Sequence, residues 1–286
     1  MPPPDPQGAG ALPDGACDCH VHVVGPRDRH PMAADRRYTP GPAPVEALRG
    51  HLARLGLGRA VVVQPSVYGT DNACALDALD RLDGAGRGVA VPPDDAGDAE
   101  LRAMHARGVR GVRVNLESAG GRDLEAARAA LARWSARVAD LGWHLQLYAA
   151  PAVVAGLTDR LDRLPAPVVL DHFAMAAGAP GPDPDAVCGL LRTGRVFVKL
   201  SAPYRLGDPG SAAAWAARFL AAAPSAVLWG SDWPHTARDP GRGRLEVSAY
   251  RAVPAEALAR DLRAWLPTPA LRQAVLVDNP AALYGF

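Results

Sequence analysis

Short β-branched runs alternate with longer Ala/Leu/Arg stretches along almost the whole chain. The short runs are typical of buried strands, and the longer stretches have the period of amphipathic helices. Eight such runs are found, at residues 17–23, 60–65, 88–92, 109–115, 144–149, 167–172, 196–201 and 226–232. Strand and helix repeated in this way predict a parallel sheet with helices packed outside it.

The chain has 286 residues, and an eight-unit α/β barrel needs about 250. No glycine-rich dinucleotide fingerprint follows the first run, which disfavours an open Rossmann-type sheet. We therefore predict the α/β class, as a single-domain (β/α)8 TIM barrel with a C-terminal helical extension. Residues 1–15, rich in proline and glycine, are predicted to form a flexible N-terminal tail, and residues 16–286 the barrel domain.

The charge pattern excludes several classes of partner. The formal net charge is +1, and no basic stripe or long uncharged apolar run is present. We expect a small-molecule substrate, no nucleic acid, no membrane association and a cytoplasmic location. The oligomeric state stays open. The four cysteines, Cys17, Cys19, Cys74 and Cys188, have no metal-ribbon spacing and are predicted to be buried and reduced.

The first run, "CDCHVHV", carries the most chemistry. Alternate residues of a strand share a face, so Asp18, His20 and His22 are predicted to point into the barrel. The two cysteines would then face the helices, where a redox role is not expected. The same argument places Asp171 towards the helices, in a structural role.

Polar side chains also occur at the C-terminal ends of the other runs, where barrel enzymes carry their active sites. They are Gln64 or Ser66, Arg113, Asn115, Gln146, Tyr148, His172, Lys199, Ser201 and Asp232. Some structural alternatives stay open at this point. Arg113 could pair with Asp18 or Asp232 merely to fill the barrel, and His144 is expected to be structural. Trp229 is expected in the core and Trp233 in a pocket wall.

Several stretches resemble one family. They are "CDCHVHV", "VVVQPSVYGTDN", "GVRGVRVNL", "VVLDHF", "FVKLSAPYRL", "LWGSDWPHT" and "NPAALYGF". Together they resemble the amidohydrolase superfamily, in the branch of 2-pyrone-4,6-dicarboxylate lactonase and of sugar-acid or muconolactone hydrolases. The resemblance runs from about residue 15 to the end. It implies a hydrolase that opens the lactone ring of a carboxylated small molecule, in aromatic or sugar-acid catabolism.

The resemblance also implies residue roles. Asp232 corresponds to the aspartate that activates water, and the catalytic histidines correspond to His20, His22 and His172. Arg113 and Arg205 match positions that grip substrate carboxylates. Where a further arginine is expected the sequence has Ala119, with Arg122 displaced, which suggests a substrate with one carboxylate fewer or with a different acid group.

Further substrate contacts are predicted at Tyr148, Tyr204, Ser66 and Thr70. Tyr204 could stack on a flat ring or cap the pocket. The loop at 66–72 also offers Tyr68, and Thr70 or Asp71 could instead cap the next helix. Both alternatives, contact with the substrate and capping of the helix, stay open for these residues.

A metal is the main open question. Metal-binding relatives place a histidine where this chain has Tyr148, so no cofactor is predicted to be required. If zinc is bound, its ligands would be His20, His22, His172 and Asp232. A zinc-dependent decarboxylase and a lactone isomerase remain alternatives with similar residues. A non-catalytic binder of acids is disfavoured, because anion binding gains nothing from Asp232.

Overall fold

The computed structural model describes residues 11–117, 123–176, 182–239 and 241–286. Eight parallel strands form one sheet in the order β1-β3-β4-β5-β6-β7-β8-β9. Their bounds are β1 Cys17–Val21, β3 Arg59–Val63, β4 Gly86–Ala90, β5 Val109–Asn115, β6 His144–Tyr148, β7 Val168–Leu170, β8 Val196–Leu200 and β9 Val227–Trp229. Each overlaps one predicted run, and the differences lie at the ends.

The sheet closes on itself just beyond β9. The backbone N–H of Asp232 donates to the His20 carbonyl at 2.9 Å, and that of His22 donates to the Trp233 carbonyl at 2.8 Å. These bonds join the chain after the last strand to β1, so no open edge remains between them. The predicted (β/α)8 TIM barrel is confirmed.

Helices follow the strands and cover the outside of the barrel. Their bounds are α1 Val45–Leu55, α2 Ala73–Leu82, α3 Asp98–Ala106, α4 Leu124–Val138, α5 Pro151–Ala155, α6 Pro184–Arg192, α7 Ala212–Ala222, α8 Ala255–Trp265, α9 Pro269–Gln273 and α10 Asn279–Tyr284. Local sequence sets α4 clearly. Asp123 accepts the backbone N–H groups of Glu125 and Ala126 at its start, and Gly142, at φ 66°, ends the turn that follows it.

The extension after β9 is helical, as predicted. It consists of α8, α9, a π-helical turn at Ala274–Asp278 and α10. A two-stranded parallel sheet, β2 Thr39–Pro40 with β10 Val247–Ser248, ties the loop after β1 to the loop after β9. Among the described residues, no helix is long and apolar enough to cross a membrane.

The core has two layers. The larger one packs the helices against the outer face of the sheet. The smaller one fills the barrel and consists of Cys17, Cys19, Val61, Val63, Val89, Val169, Leu228 and Tyr284. All four cysteines are buried and free of disulfides, as predicted. Residues 1–10 of the predicted tail lie outside the described residues, Leu12 packs against the core, and the boundary at residue 15 stays a prediction.

The prediction that the cysteines of β1 face the helices is wrong. The pairing of β1 with β3 shifts between Asp18 and Val21, so Cys19 and His20 together stand opposite a single residue, Val61. This irregularity is a β-bulge, and it interrupts the alternation of faces. Cys17, Cys19 and His20 therefore all lie on the inner face, and Asp18 lies on the outer one.

Candidate active site

Asp18 supports the site from behind the barrel wall. Its Oδ1 accepts the backbone N–H of Ser231 at 2.9 Å and that of His20 at 3.1 Å, and its Oδ2 lies 3.6 Å from His51 Nε2. The predicted position of Asp18 beside the two histidines is thus wrong. Its carboxylate instead ties the backbone of β1 to the chain after β9.

Asp171 also contradicts its prediction, because its side chain is inside the barrel. β7 ends at Leu170, and His172 already has a positive φ of 51°, so strand alternation does not extend to these residues. Asp171 and His172 consequently both reach the interior. Asp171 lies 3.3 Å from His20 Nδ1 and 3.7 Å from Arg113 Nη2.

Asp232 lies at the floor of the site and is fully buried. Its Oδ2 accepts hydrogen bonds from the Tyr204 hydroxyl at 2.7 Å and from Arg205 Nε and Nη2 at 3.0 and 2.8 Å. Burial alone would raise the pKa of Asp232, but the Arg205 guanidinium holds it well below its usual range. The carboxylate is therefore ionised at neutral pH.

The other oxygen, Oδ1, faces His20 of β1 and His22, which directly follows that strand. It lies 3.5 Å from His22 Nε2 and 3.6 Å from His20 Nε2. Among the described residues, neither Oδ1 nor His20 Nε2 has a hydrogen-bond partner. Buried polar atoms seldom stay unpaired, so this point of the site is suited to a small polar ligand.

The tautomer of His22 is fixed by a backbone group. Its Nδ1 lies 2.7 Å from the carbonyl oxygen of Val63, which can only accept. Nδ1 therefore carries the hydrogen, so the uncharged form of the ring has its lone pair on Nε2, towards Asp232. In that form two acceptors face each other across 3.5 Å, an arrangement that a bound group with two hydrogens, or a cation, would satisfy.

His172 completes the group of imidazoles. Its Nδ1 is 2.9 Å from the Ser201 hydroxyl, and its ring packs against those of His20 and Tyr148, with centroids 4.9 Å away in both cases. Burial lowers the pKa of His20 to about 3 and takes that of His172 well below its ordinary value. Both rings are neutral at pH 7.

A buried polar layer lies beneath His20. Lys199 Nζ donates to Gln146 Oε1 at 2.6 Å, and Gln146 Nε2 donates to Asp171 Oδ2 at 3.1 Å. Burial opposes the charge of Asp171, yet the Lys199 ammonium, with Nζ 3.8 Å from Oδ1, helps to hold its pKa below the usual range. The sequence placed Gln146 and Lys199 inward but gave them no role. One signal could have found Lys199: it is the only lysine of the chain.

A cavity of about 260 Å³ opens above this floor. Of the predicted site residues, those that line it are His22, Ser66, Arg113, Tyr148, His172 and Arg205. Arginine dominates its charge, with Arg37, Arg113, Arg205, Arg238 and Arg251 against Glu117. Such a lining favours a substrate that carries acid groups.

Arg113 and Arg205 flank Tyr148, with guanidinium carbons 5.8 and 5.9 Å from the centre of its ring. Arg113 Nη1 donates to the Gln64 carbonyl at 3.0 Å. Its nearest described carboxylate is Asp171, rather than Asp18 or Asp232 as the structural alternative supposed.

Other predicted contacts lie elsewhere. Thr70 is exposed and does not line the cavity, and the Tyr68 hydroxyl is buried, where it accepts the Gly25 N–H. Asp71 instead accepts the backbone N–H of Ala73 at the start of α2, and the Tyr204 hydroxyl binds Asp232.

The remaining expectations concern the aromatic residues and the loop after β5. Trp229 is buried in the core, as expected. Trp233 does not line the cavity as predicted and instead stacks on His51, with ring centroids 5.7 Å apart. His144 is buried at the start of β6, as expected. Ala119 and Arg122 lie outside the described residues.

The side chains of the site offer two groups of atoms that could ligate a metal ion. His20, His22 and Asp232 offer ligand atoms within 4.8 Å of one another, as do His20, Asp171 and His172. Three protein ligands with one open position are typical of catalytic zinc. The four residues predicted as ligands are thus divided between two overlapping groups, and His20 belongs to both.

A barrel whose strand ends bring an ionised carboxylate and imidazoles together next to a cavity lined by guanidinium groups defines an enzyme of the TIM-barrel class, equipped for acid–base chemistry on an acidic small molecule. Residues 17–286 match the family described as Amidohydrolase. The chain belongs to this family.

Its relatives include hydrolases of lactones. The chain is 35% identical to a 4-sulfomuconolactone hydrolase of Rhizobium radiobacter, over 96% of this chain and 91% of that protein. It is equally 35% identical, with the same coverage, to a 2-pyrone-4,6-dicarboxylate hydrolase of Comamonas testosteroni. A crystal structure of a probable 2-pyrone-4,6-dicarboxylic acid hydrolase from Acinetobacter baumannii, with citric acid bound, superposes with a TM-score of 0.78 at 27% identity, covering 95% of this chain and 100% of that one.

Proposed function

We propose that the protein hydrolyses a lactone that carries at least one further acid group. The observation that carries this proposal is Asp232, an ionised carboxylate with one oxygen facing two imidazoles, buried directly behind His22 and Arg205, which line an arginine-rich cavity. The relatives that hydrolyse lactones support the reaction class. Dicarboxylate, muconolactone and sugar-acid lactones are the candidate substrates.

In this proposal, the nucleophilic water donates its two hydrogens to Asp232 Oδ1 and His22 Nε2, the two acceptors that face each other. Its oxygen attacks the lactone carbonyl carbon, and Asp232 accepts the proton. The tetrahedral intermediate then collapses, the ring C–O bond breaks, and the leaving oxygen takes up the proton that Asp232 accepted, which regenerates the carboxylate. The product is an open-chain acid that carries the oxygen of the water.

The neutral histidines stabilise charge during the attack. His20 and His172 lie around the same point and donate hydrogen bonds to the carbonyl oxygen as it becomes negative. Arg113 binds the acid group of the substrate, and Tyr148 and Ser66 line the ring. Arg205 was predicted to bind a substrate carboxylate. In this proposal its guanidinium instead keeps Asp232 ionised, because it donates two hydrogen bonds to that carboxylate.

We propose that no metal is required. Asp232 Oδ2 already has three hydrogen bonds, and Arg205 neutralises the carboxylate without a further cation. If a divalent ion binds, His20, His22 and Asp232 would hold it, and it would supply Lewis-acid polarisation of the carbonyl.

A cytoplasmic location stays a prediction.

The test is proton release in weak buffer across a panel of dicarboxylate, muconolactone and sugar-acid lactones, with protein assayed before and after chelation. We expect acid release from at least one acidic lactone, unchanged by the chelator. Release that is lost on chelation and restored by Zn²⁺ would contradict the metal-free proposal. A changed lactone without acid release would indicate an isomerase, and carbon dioxide from a carboxylated substrate would indicate the zinc-dependent decarboxylase.

A further inference from the structure

The ring of His20 is held between two different partners at Nδ1. Lys199 Nζ lies 3.4 Å away with acceptable hydrogen-bond geometry, and Asp171 Oδ1 lies 3.3 Å away. Asp171 Oδ1 has no hydrogen-bond partner among the described residues, so a hydrogen on Nδ1 would not point at it. The geometry therefore favours Lys199 as donor and Nδ1 as acceptor.

An imidazole that accepts at Nδ1 carries its hydrogen on Nε2 when neutral. His20 then turns an N–H towards the reacting centre, where its Nε2 lies 3.6 Å from Asp232 Oδ1. His22, fixed by the Val63 carbonyl, turns a lone pair to the same point. The two histidines thus have opposite tautomers.

The composition of the chain gives an independent reason to single out Lys199. It is the only lysine, and every other basic side chain among the 31 Lys and Arg residues is arginine. It is also completely buried, in the interior of the barrel. A compact ammonium group with three donors can serve Gln146, His20 and Asp171 together, which a planar guanidinium cannot do in the same space.

We propose that Lys199 is a positioning residue that holds His20 as the Nε2–H tautomer, which makes His20 a hydrogen-bond donor to the substrate carbonyl and not a base. The catalytic consequence rests on the proposed lactone hydrolysis, whereas the tautomer does not. Without Lys199, Nδ1 loses its donor and keeps the Asp171 carboxylate beside it, so a small turn of that carboxylate lets it accept a hydrogen and His20 changes to the Nδ1–H form.

The test is ¹⁵N NMR of histidine-labelled protein at neutral pH, with the His20 signals assigned by their loss in His20→Gln. We expect the wild-type ring to carry its hydrogen on Nε2, and Lys199→Met to move it to Nδ1. Arg195→Met, which removes an exposed cation just before the same strand, is the control and should leave the spectrum unchanged.

Either of two results overturns the proposal. The first is a wild-type His20 that carries its hydrogen on Nδ1, and this result would overturn the proposal even if Lys199→Met fails to fold. The second is a His20 that keeps its hydrogen on Nε2 in folded Lys199→Met, which would show that another group sets the tautomer. If a lactone substrate is found, kcat of Lys199→Met should fall about tenfold or more with KM nearly unchanged. If no lactone is hydrolysed, the spectra still decide the assignment of Lys199.

Discussion

At the scale of single residues, each side chain of the site is fixed by a different hydrogen-bonding partner. Asp232 is kept ionised by Arg205 and Tyr204 on one oxygen, which leaves the other for chemistry. His22 is oriented by the Val63 carbonyl. Because Asp232 and His22 each have one atom engaged by the protein, Asp232 Oδ1 and His22 Nε2 are held 3.5 Å apart, and the site is preorganised before a ligand arrives.

Asp232→Asn should reduce kcat by about 10²- to 10⁴-fold, because the amide cannot accept the proton of water. KM should change little, since Arg113 still binds the acid group. Steady-state kinetics on the identified lactone check this. Asp239→Asn, the same change on an exposed loop, should have no effect. If Asp232→Asn keeps most of the wild-type rate, the assignment of the base is wrong.

Arg113→Met should raise KM for an acidic lactone by about 10- to 150-fold, the equivalent of one lost hydrogen bond to a charged group. The effect on kcat should be smaller. The matched control is Arg110→Met, on the same strand but bonded to the carbonyls of His105 and Val109. Equal effects of the two substitutions would contradict a binding role for Arg113.

At the scale of elements, two departures from regular strand geometry shape the site. The bulge in β1 adds His20 to the inner face, and the early end of β7 brings in both Asp171 and His172. Asp232 has a positive φ of 61° directly after β9. Such backbone conformations cost about 1–3 kcal/mol each and are concentrated at functional sites.

Gly230 lets β9 approach the bulge of β1. A Cβ there would lie 2.6 Å from the Cβ of His20 and 2.9 Å from its backbone nitrogen. Gly230→Ala should therefore lower the free energy of unfolding by about 1–3 kcal/mol and reduce kcat, as urea denaturation and kinetics would show. Gly189→Ala, in α6 with open space around it, should instead stabilise by about 0.5–1 kcal/mol. Equal changes in the free energy of unfolding for the two variants would mean that the close approach of Gly230 to His20 is unimportant.

His144 begins β6 and makes stability depend on pH. Burial, together with nearby Lys199, lowers its pKa to about 3, against about 6.5 in an unfolded chain. As pH falls from 7 to 4, the unfolded state binds a proton that the folded state does not, so stability falls. His144→Leu should reduce this slope by up to about 1.4 kcal/mol per pH unit, measured by urea denaturation at several pH values. An unchanged slope would show that His144 does not titrate in this way.

For the whole molecule, the C-terminal extension completes the barrel. Tyr284 of α10 is fully buried in the inner core, where its ring centroid lies 5.1 Å from that of His144. The side chain of Arg87 binds the Tyr284 and Gly285 carbonyls, which fastens α10 to the start of β4. The end of the chain therefore closes the barrel at the face opposite the site.

Tyr284→Ala should cost about 3–5 kcal/mol of unfolding free energy, because it leaves a cavity in the inner core. Thermal and urea denaturation measure the loss. Tyr284→Phe is the matched control: the hydroxyl has no partner among the described residues, so its removal should be close to neutral. A small effect of Tyr284→Ala would mean that α10 only covers the barrel.

The periodicity of the sequence was sufficient for the fold, since the repeat of strand and helix is local and recurs eight times. It also placed Arg113, Tyr148 and Asp232 at the correct end of the barrel, because parallel strands end at one face. The resemblance of short motifs added the family. These conclusions depend on neighbours along the chain, which a sequence displays directly.

The faces of Asp18, Cys19 and Asp171 were decided only by the tertiary structure. A bulge depends on how β1 pairs with β3, and the end of β7 depends on the turn that follows, so alternation counted along one strand gives the wrong face. The tautomers of His20 and His22 likewise depend on groups far away in sequence, Lys199 and Val63. Contacts between distant parts of the chain form only in the folded barrel, and these contacts determine the chemistry of each site residue.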